Sequence, residues 1–163
     1  MGITIRQAGE QDYEIYCGLM NEINELHRLA LPGIFQKPPG RIIDQDYFMS
    51  LLNNDQGAIF FAFHGYEGQA AGFINVLIRE TPAYPMLMPR RYGVVDTLVV
   101  RPAFQRTGVG RALMNQAEAW AASQEVSEVE LNVYEFNLGA QAFYRQLGYT
   151  TYSRKMSKKL RDK

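Results

Sequence analysis

Between Val100 and Arg111 the chain gathers groups that suit an anion. Gly108 and Gly110 stand where a helix would begin, and Gln105, Arg106, Thr107 and Arg111 surround them with donors. A helix N-terminus presents unpaired backbone N–H groups and about half a positive charge, so it accepts phosphate. Glycine removes the side chains that would hold a pyrophosphate off the backbone. Two glycines at a helix start also serve a plain tight turn, so the segment alone leaves both roles open. The spacing is not the Gly-x-Gly-x-x-Gly of a dinucleotide fold, and the Gly-Lys-Ser/Thr of a P-loop is missing.

Asp96 is the second candidate. It interrupts a run of β-forming residues, where a carboxylate is costly to bury unless it is paired or functional. An ion pair with Arg90, Arg91 or Arg111 is the competing role. A nucleophilic pairing of Cys17 with His27 or His64 has little support, because Cys17 falls on the apolar face of a predicted helix, where a small thiol packs. No cluster of histidine, cysteine and carboxylates has metal-binding spacing.

The elements that must position these groups follow from periodicity. Ile3 to Arg6 alternates as a strand. From Glu10 to Ala30 the apolar positions Tyr13, Tyr16, Cys17, Met20, Ile23 and Leu26 recur at helical steps, and Leu31-Pro32-Gly33 stops the helix. Asp44 caps a shorter helix to about Leu52. Ala58 to His64 and Gln69 to Arg79 read as a hairpin about Gly65-Tyr66-Glu67-Gly68. Tyr92 to Val100 reads as a strand buried on both faces. A helix runs from Gly108 with Val109, Ala112, Leu113, Ala117, Trp120 and Ala121 on one face. Val129 to Tyr134 is a strand, Leu138 to Leu147 a helix, and Tyr149 to Leu160 one or two closing strands. The order predicts an α/β fold of α+β mixed type, with a central, mostly antiparallel sheet of six to seven strands flanked by about four helices.

The 163 residues suit one domain, 1–163, with a single core. Apolar residues make up 47% and charged ones 21%, an ordinary globular balance. Seventeen basic residues offset seventeen acidic ones, so the molecule as a whole has no electrostatic reason to seek nucleic acid or an anionic membrane. Arg154 to Lys163 is basic and reads as a solvated tail. One cysteine, no signal-like N-terminus and no run of about 20 apolar residues make the cytoplasm the expected compartment.

Two segments carry a family likeness. The stretch from Val94 to Met114, a strand followed by Gln105-Arg-Thr-Gly-Val-Gly110 and an amphipathic helix, resembles the coenzyme A motif of the GNAT superfamily of N-acetyltransferases. The stretch Asn137-Leu-Gly-Ala140-Gln-Ala-Phe-Tyr144-Arg-Gln-Leu-Gly148-Tyr149 resembles that family's Asn-x-x-Ala-x-x-x-Tyr-x-x-x-Gly-Phe/Tyr motif. Arg106 stands where many members carry glycine. The resemblance implies a GNAT-like fold and an acetyl-coenzyme A-dependent N-acetyltransferase, in which an amine attacks the thioester directly. It implies that Leu98, Val99 and Val100 hold pantetheine, with a β-bulge freeing an N–H near Val99 for the thioester oxygen. Gln105, Arg106, Thr107, Gly108, Val109, Gly110 and Arg111 would hold the pyrophosphate, and Asn137, Ala140 and Tyr144 the other wall. Tyr144 would be the general acid, against a packed helix tyrosine as the alternative, and Asp96 the general base acting through water. His27 either faces the acceptor or sits at a helix C-terminus favoured by the dipole.

Acceptor choice would fall to Leu31–Arg41 and Glu80–Arg91, both rich in proline and apolar groups and without an acidic cluster. The acceptor is an amine of unnamed identity, small or amino-acid-like. A protein N-terminus or lysine and a non-catalytic coenzyme A-binding module are the alternatives. Exposed hairpins and closing strands are compatible with a homodimer.

Overall fold

A computed structural model describes residues 2–161. Strands β1 (Ile3–Gln7), β2 (Gly57–His64), β3 (Gln69–Glu80), β4 (Arg91–Val100) and β5 (Val129–Leu131) form one sheet in that order. All neighbours are antiparallel except β4 and β5, which run parallel. Helices α1 (Tyr13–Ala30), α2 (Gln45–Leu52), α3 (Val109–Ser123) and α4 (Leu138–Gln146) complete the fold, with short 3-10 turns at Glu10–Asp12 and Pro102–Phe104. The chain divides into two compact units, Met1–Asn132 and Val133–Lys163.

The strand count corrects the expected six to seven: five form among the described residues. Tyr149 to Leu160 carries no strand, and Tyr152, Met156 and Leu160 are exposed. The Tyr and Thr side chains of Tyr149 to Tyr152 favour extension, but a strand exists only where a ladder partner supplies its hydrogen bonds. β5 likewise ends at Leu131 rather than Tyr134.

The first unit has a core on each face of its sheet. On one face Tyr16 and Leu19 of α1 and Phe48 of α2 pack with Phe61, Phe73 and Val99. Tyr16 lies between Phe48 and Phe73, at 5.0 and 4.8 Å between ring centres. Burying each such ring contributes about 1.5–3 kcal/mol. On the other face Ile78 packs with Ala121 of α3 and with Val126. Gly93 packs closely there: a Cβ on it would stand 3.2 Å from both Ala121 Cβ and Val129 Cγ2, so α3 or β5 would have to give by a few tenths of an ångström.

One ion pair ties β1 to the start of α1. Arg6 donates twice to Asp12, at 2.8 Å each, and the Gly9 N–H adds a third bond of 2.7 Å. Asp12 is 1% exposed and Arg6 40%. The Arg6 hydrogen bonds hold the Asp12 carboxyl below the usual carboxylate range, against the opposing effect of burial. A depressed carboxyl stabilises the fold above its unfolded pKa of about 4 and loses that contribution as pH falls through the lower folded value. Arg6→Gln is expected to cost about 1–3 kcal/mol at pH 7, less than for a fully buried pair because the guanidinium is partly solvated. Urea midpoints should differ most at neutral pH and converge as pH falls below about 4.

Candidate functional site

The expected anion turn forms where β4 gives way to α3. The Pro102–Phe104 turn follows Arg101, Gln105 donates to the Val100 carbonyl at 3.3 Å, and the Thr107 hydroxyl closes on the Phe104 carbonyl. Gly108, at φ 93°, caps α3 in the left-handed region. Val109 is fully buried and anchors the helix start. The first bond of the helix runs from the Ala112 N–H to the Gly108 carbonyl at 2.9 Å, so the amides of Val109, Gly110 and Arg111 precede the bonded ladder. Arg106 and Arg111 are exposed, and neither has an ion-pair partner among the described residues. Free amides, the helix dipole and two uncommitted guanidinium groups in one turn fit a pyrophosphate.

Arg106 itself has φ 62°. The left-handed region costs a residue with a Cβ about 1–2 kcal/mol, which gives a physical reason for glycine in related turns. Arg106→Gly is therefore expected to raise the urea midpoint by the equivalent of up to about 1 kcal/mol, partly offset by greater freedom of the unfolded chain. The same change removes one cation and should weaken pyrophosphate binding several-fold, read by calorimetry.

β4 changes register along its length. Val95 pairs with Val76 and Thr97 with Asn75, which leaves Asp96 as an extra residue on β4. The bulge thus lies at Asp96 rather than near Val99. Thr97 to Val100 are all good β-formers and keep a regular ladder, so the irregularity settles on the one residue that is not. The bulge also re-phases the strand: Gly93 faces α3, whereas Val99, an even number of residues later, packs on Tyr16 and Leu19. Asp96 is exposed, so the cost of burial expected for it does not arise. Its carboxylate accepts from the Thr97 hydroxyl at 3.4 Å and has no ion pair among the described residues. Of the expected competitors, Arg90 binds Glu128 and Glu130, and Arg91 binds Gln56 and the Gln124 carbonyl.

On its other edge β4 meets β5 only over Gly93 to Val95. From Asp96 to Val100 that edge carries no strand partner among the described residues, while β3 continues to pair on the inner side. Leu98, Val99 and Val100 therefore lead along an open backbone edge straight into the Gly108 turn. An extended amide-bearing chain pairs with such an edge as an added strand would.

In the second unit the spacing of Asn137, Ala140, Tyr144, Gly148 and Tyr149 has a local cause. Asn137 caps α4, its side chain accepting from the Ala140 N–H at 3.1 Å. Gly148, at φ 96°, ends the helix in a Schellman arrangement, with Gly148 N–H on Arg145 and Tyr149 N–H on Tyr144, both 3.0 Å. The Tyr144 and Tyr149 rings meet edge-on at 5.9 Å. Burial pushes the Tyr144 hydroxyl up to about 12. That hydroxyl makes no hydrogen bond to another described residue.

The remaining sequence candidates separate from this chemistry. Cys17 is buried and its thiol points to the Ile43 carbonyl at 3.8 Å. His27 stacks on Phe35 at 4.9 Å, and burial lowers its pKa. Ile34, Met86 and Met88 are exposed rather than packed into a pocket. No group of three or more histidine, cysteine or carboxylate side chains able to hold a metal occurs among the described residues, nor does a helix long and apolar enough to cross a membrane. Sequence reasoning missed Asn75, a buried amide on an otherwise apolar strand, 3% exposed. The argument applied to Asp96, a polar residue interrupting a strand, would have found it.

Comparison with known proteins follows from this geometry. The acetyltransferase (GNAT) family matches residues 20–149. An uncharacterized N-acetyltransferase of Archaeoglobus fulgidus is 29% identical over 100 residues, 61% of this chain and 65% of that protein. An aminoglycoside N(6')-acetyltransferase of Stenotrophomonas maltophilia is 28% identical over 103 residues, 60% of this chain and 63% of that protein. The match spans less than two thirds of either relative. A solved Bacillus halodurans protein shares the fold with a TM-score of 0.89 at 24% identity, over 96% of this chain and 99% of that one.

Proposed function

We propose that this chain, which belongs to the acetyltransferase (GNAT) family, moves an acetyl group from acetyl-coenzyme A to the amine of a small molecule. The observation that carries the reading is the open edge of β4 leading into the Gly108 turn of α3. One continuous path offers backbone groups for an amide-bearing arm and then amides and cations for its pyrophosphate. Gln105 to Arg111 are the residues for the pyrophosphate, and Leu98 to Val100, with Asn137 and Ala140, those for pantetheine.

The cosubstrate supplies the acetyl group as an activated thioester. This chain's part is orientation and proton transfer. Asp96 takes a proton, through water, from the acceptor ammonium, which then attacks as the free amine. The Tyr144 hydroxyl, kept protonated by burial, gives its proton to the departing sulfur, and the second proton that the attacking nitrogen loses on becoming an amide restores Tyr144. Both relatives above carry N-acetyltransferase names, and one is named for an aminoglycoside. Those names favour an amine acceptor and a small, polar one.

Calorimetry with coenzyme A, followed by thiol release from acetyl-coenzyme A with amines, amino acids and peptides, tests the reading. Binding plus release with a small amine is the expected result. Failure to bind coenzyme A would sink it.

A further inference from the structure

On the α1 and α2 face of the sheet, beside the bulge at Asp96, lie polar groups of Asn75, Thr97 and Tyr16 that the proton transfers do not use. Asn75 pairs across the ladder with Thr97, so their side chains share a face, about 5 Å apart at the backbone. The Thr97 hydroxyl donates to Asp96, which brings the carboxylate to the same place. Tyr16 is 2% exposed and stands over Phe73, two residues from Asn75 on that face. Neither the Asn75 amide nor the Tyr16 hydroxyl bonds another described residue. Yet no buried side-chain nitrogen or oxygen lacks a partner among the described residues. The sliver of each residue that stays accessible is therefore its polar tip, on the face of the sheet that carries Thr97. The Asp96 charge is felt at the Tyr16 hydroxyl, which burial first and then its neighbours Tyr47, Asp96 and Cys17 push up. No cation contributes there.

We propose that Asn75 is the acceptor-recognition residue, holding with Asp96 and Thr97 a primary ammonium that carries an oxygen on the adjacent carbon. This rests on the acetyltransferase reading. Hydrogen-bond accounting decides the class. An ammonium has three donors and no acceptor, and here it meets the water that the Asp96 carboxylate uses, the Thr97 oxygen and the Asn75 carbonyl oxygen. A plain alkylammonium would leave the Asn75 N–H groups and the Tyr16 O–H without an acceptor once water is displaced. A site that leaves buried donors unpaired rejects such a ligand. An oxygen next to the amine satisfies them.

The test compares 2-amino-1-phenylethanol with 2-phenylethylamine, which lacks the hydroxyl. In the wild type, with coenzyme A bound, the amino alcohol is expected to shift the Asn75 side-chain amide resonances, assigned by their loss in Asn75→Leu. It should also be acetylated with kcat/KM about 10-fold or more above that of its partner. Asn75→Leu should raise the amino alcohol KM about 10–100-fold, leave the KM for acetyl-coenzyme A unchanged, and abolish the preference. Should Asn75→Leu fail to fold, Asn75→Ala serves: it removes the carbonyl and N–H groups alike without adding bulk or charge, so the same rise in KM and loss of preference are expected. Acetylation of both amines with equal efficiency in wild type, or an unchanged KM in the variants, overturns the proposal and leaves the acetyltransferase reading standing. Coenzyme A binding without any amide shift or turnover of the amino alcohol also overturns it. An amide shift in a protein that does not bind coenzyme A supports the amine site and rejects the acetyltransferase reading instead.

Discussion

Replacing Tyr144 by phenylalanine is expected to lower kcat about 10²–10⁴-fold, the usual worth of a positioned proton donor, while the KM for acetyl-coenzyme A stays within about twofold. The separation follows from what each part of the side chain does. The ring rests on Phe143 at 5.3 Å and on Tyr149 at 5.9 Å, and phenylalanine keeps both contacts. The hydroxyl holds α4 to nothing, so its removal should move the melting temperature little. A proton donor must keep its proton at working pH, and burial raises the Tyr144 hydroxyl to about 12. The neutral form is therefore the form present from acid through neutral pH, and Tyr144 adds no inflection to the rate profile below about pH 11. The variant should reproduce the wild-type profile at reduced height. An unchanged kcat would remove Tyr144 from the chemistry and leave it as the C-terminal anchor of its helix.

Asp96→Asn is expected to lower kcat/KM for the acceptor by a similar 10²–10⁴-fold. Here the shape of the profile should change as well as its height. Asparagine preserves the size of the side chain and the contact with Thr97, but it takes up no proton. The variant then depends on the fraction of acceptor already deprotonated in solution. That fraction rises tenfold per pH unit below the amine's own pKa, so the deficit should shrink steadily towards high pH. A small anionic base such as acetate or formate should restore part of the rate. A uniform loss at every pH would assign Asp96 to binding rather than to proton transfer. Coenzyme A affinity serves as the control in both variants, since neither changes a residue of the Gln105 to Arg111 turn.

The parts of the fold that were legible beforehand are those fixed by neighbours in sequence. Gly108 and the apolar stripe from Val109 to Ala121 mark α3, and Gly65 and Gly68, both at positive φ, mark the β2–β3 hairpin. Asn137 and Gly148 bracket α4 because caps are chemical instructions local to a helix end. What escaped depends on partners distant in the chain. Nothing in Tyr149 to Leu160 says whether a ladder awaits it, and the described segment has none. The place of the bulge is set by how β4 meets β3, so the likeness to a family pointed to Val99 where the pairing selects Asp96. Asn75 became visible only when register set it beside Thr97. The turn proposed for the donor is thus local in sequence, whereas the face proposed for the acceptor is assembled across strands.

Counting along the ladder gives Asp96 a further property. From Arg91 to Val95 and again from Thr97 to Val100, every residue of β4 has its own opposite number on β3, and the two series on β3 run on without a break from Glu80 to Gly72. Asp96 is the one residue without a place in the count. Excising it would let Thr97 follow Val95 in a regular ladder, with every cross-strand pair retained and Val99 still on its side of the sheet. A chain shortened by this single codon should keep the β3–β4 ladder and fold. That ladder does not need the position, and a lineage that lost the carboxylate could discard the whole residue where it could not discard Val95 or Val99.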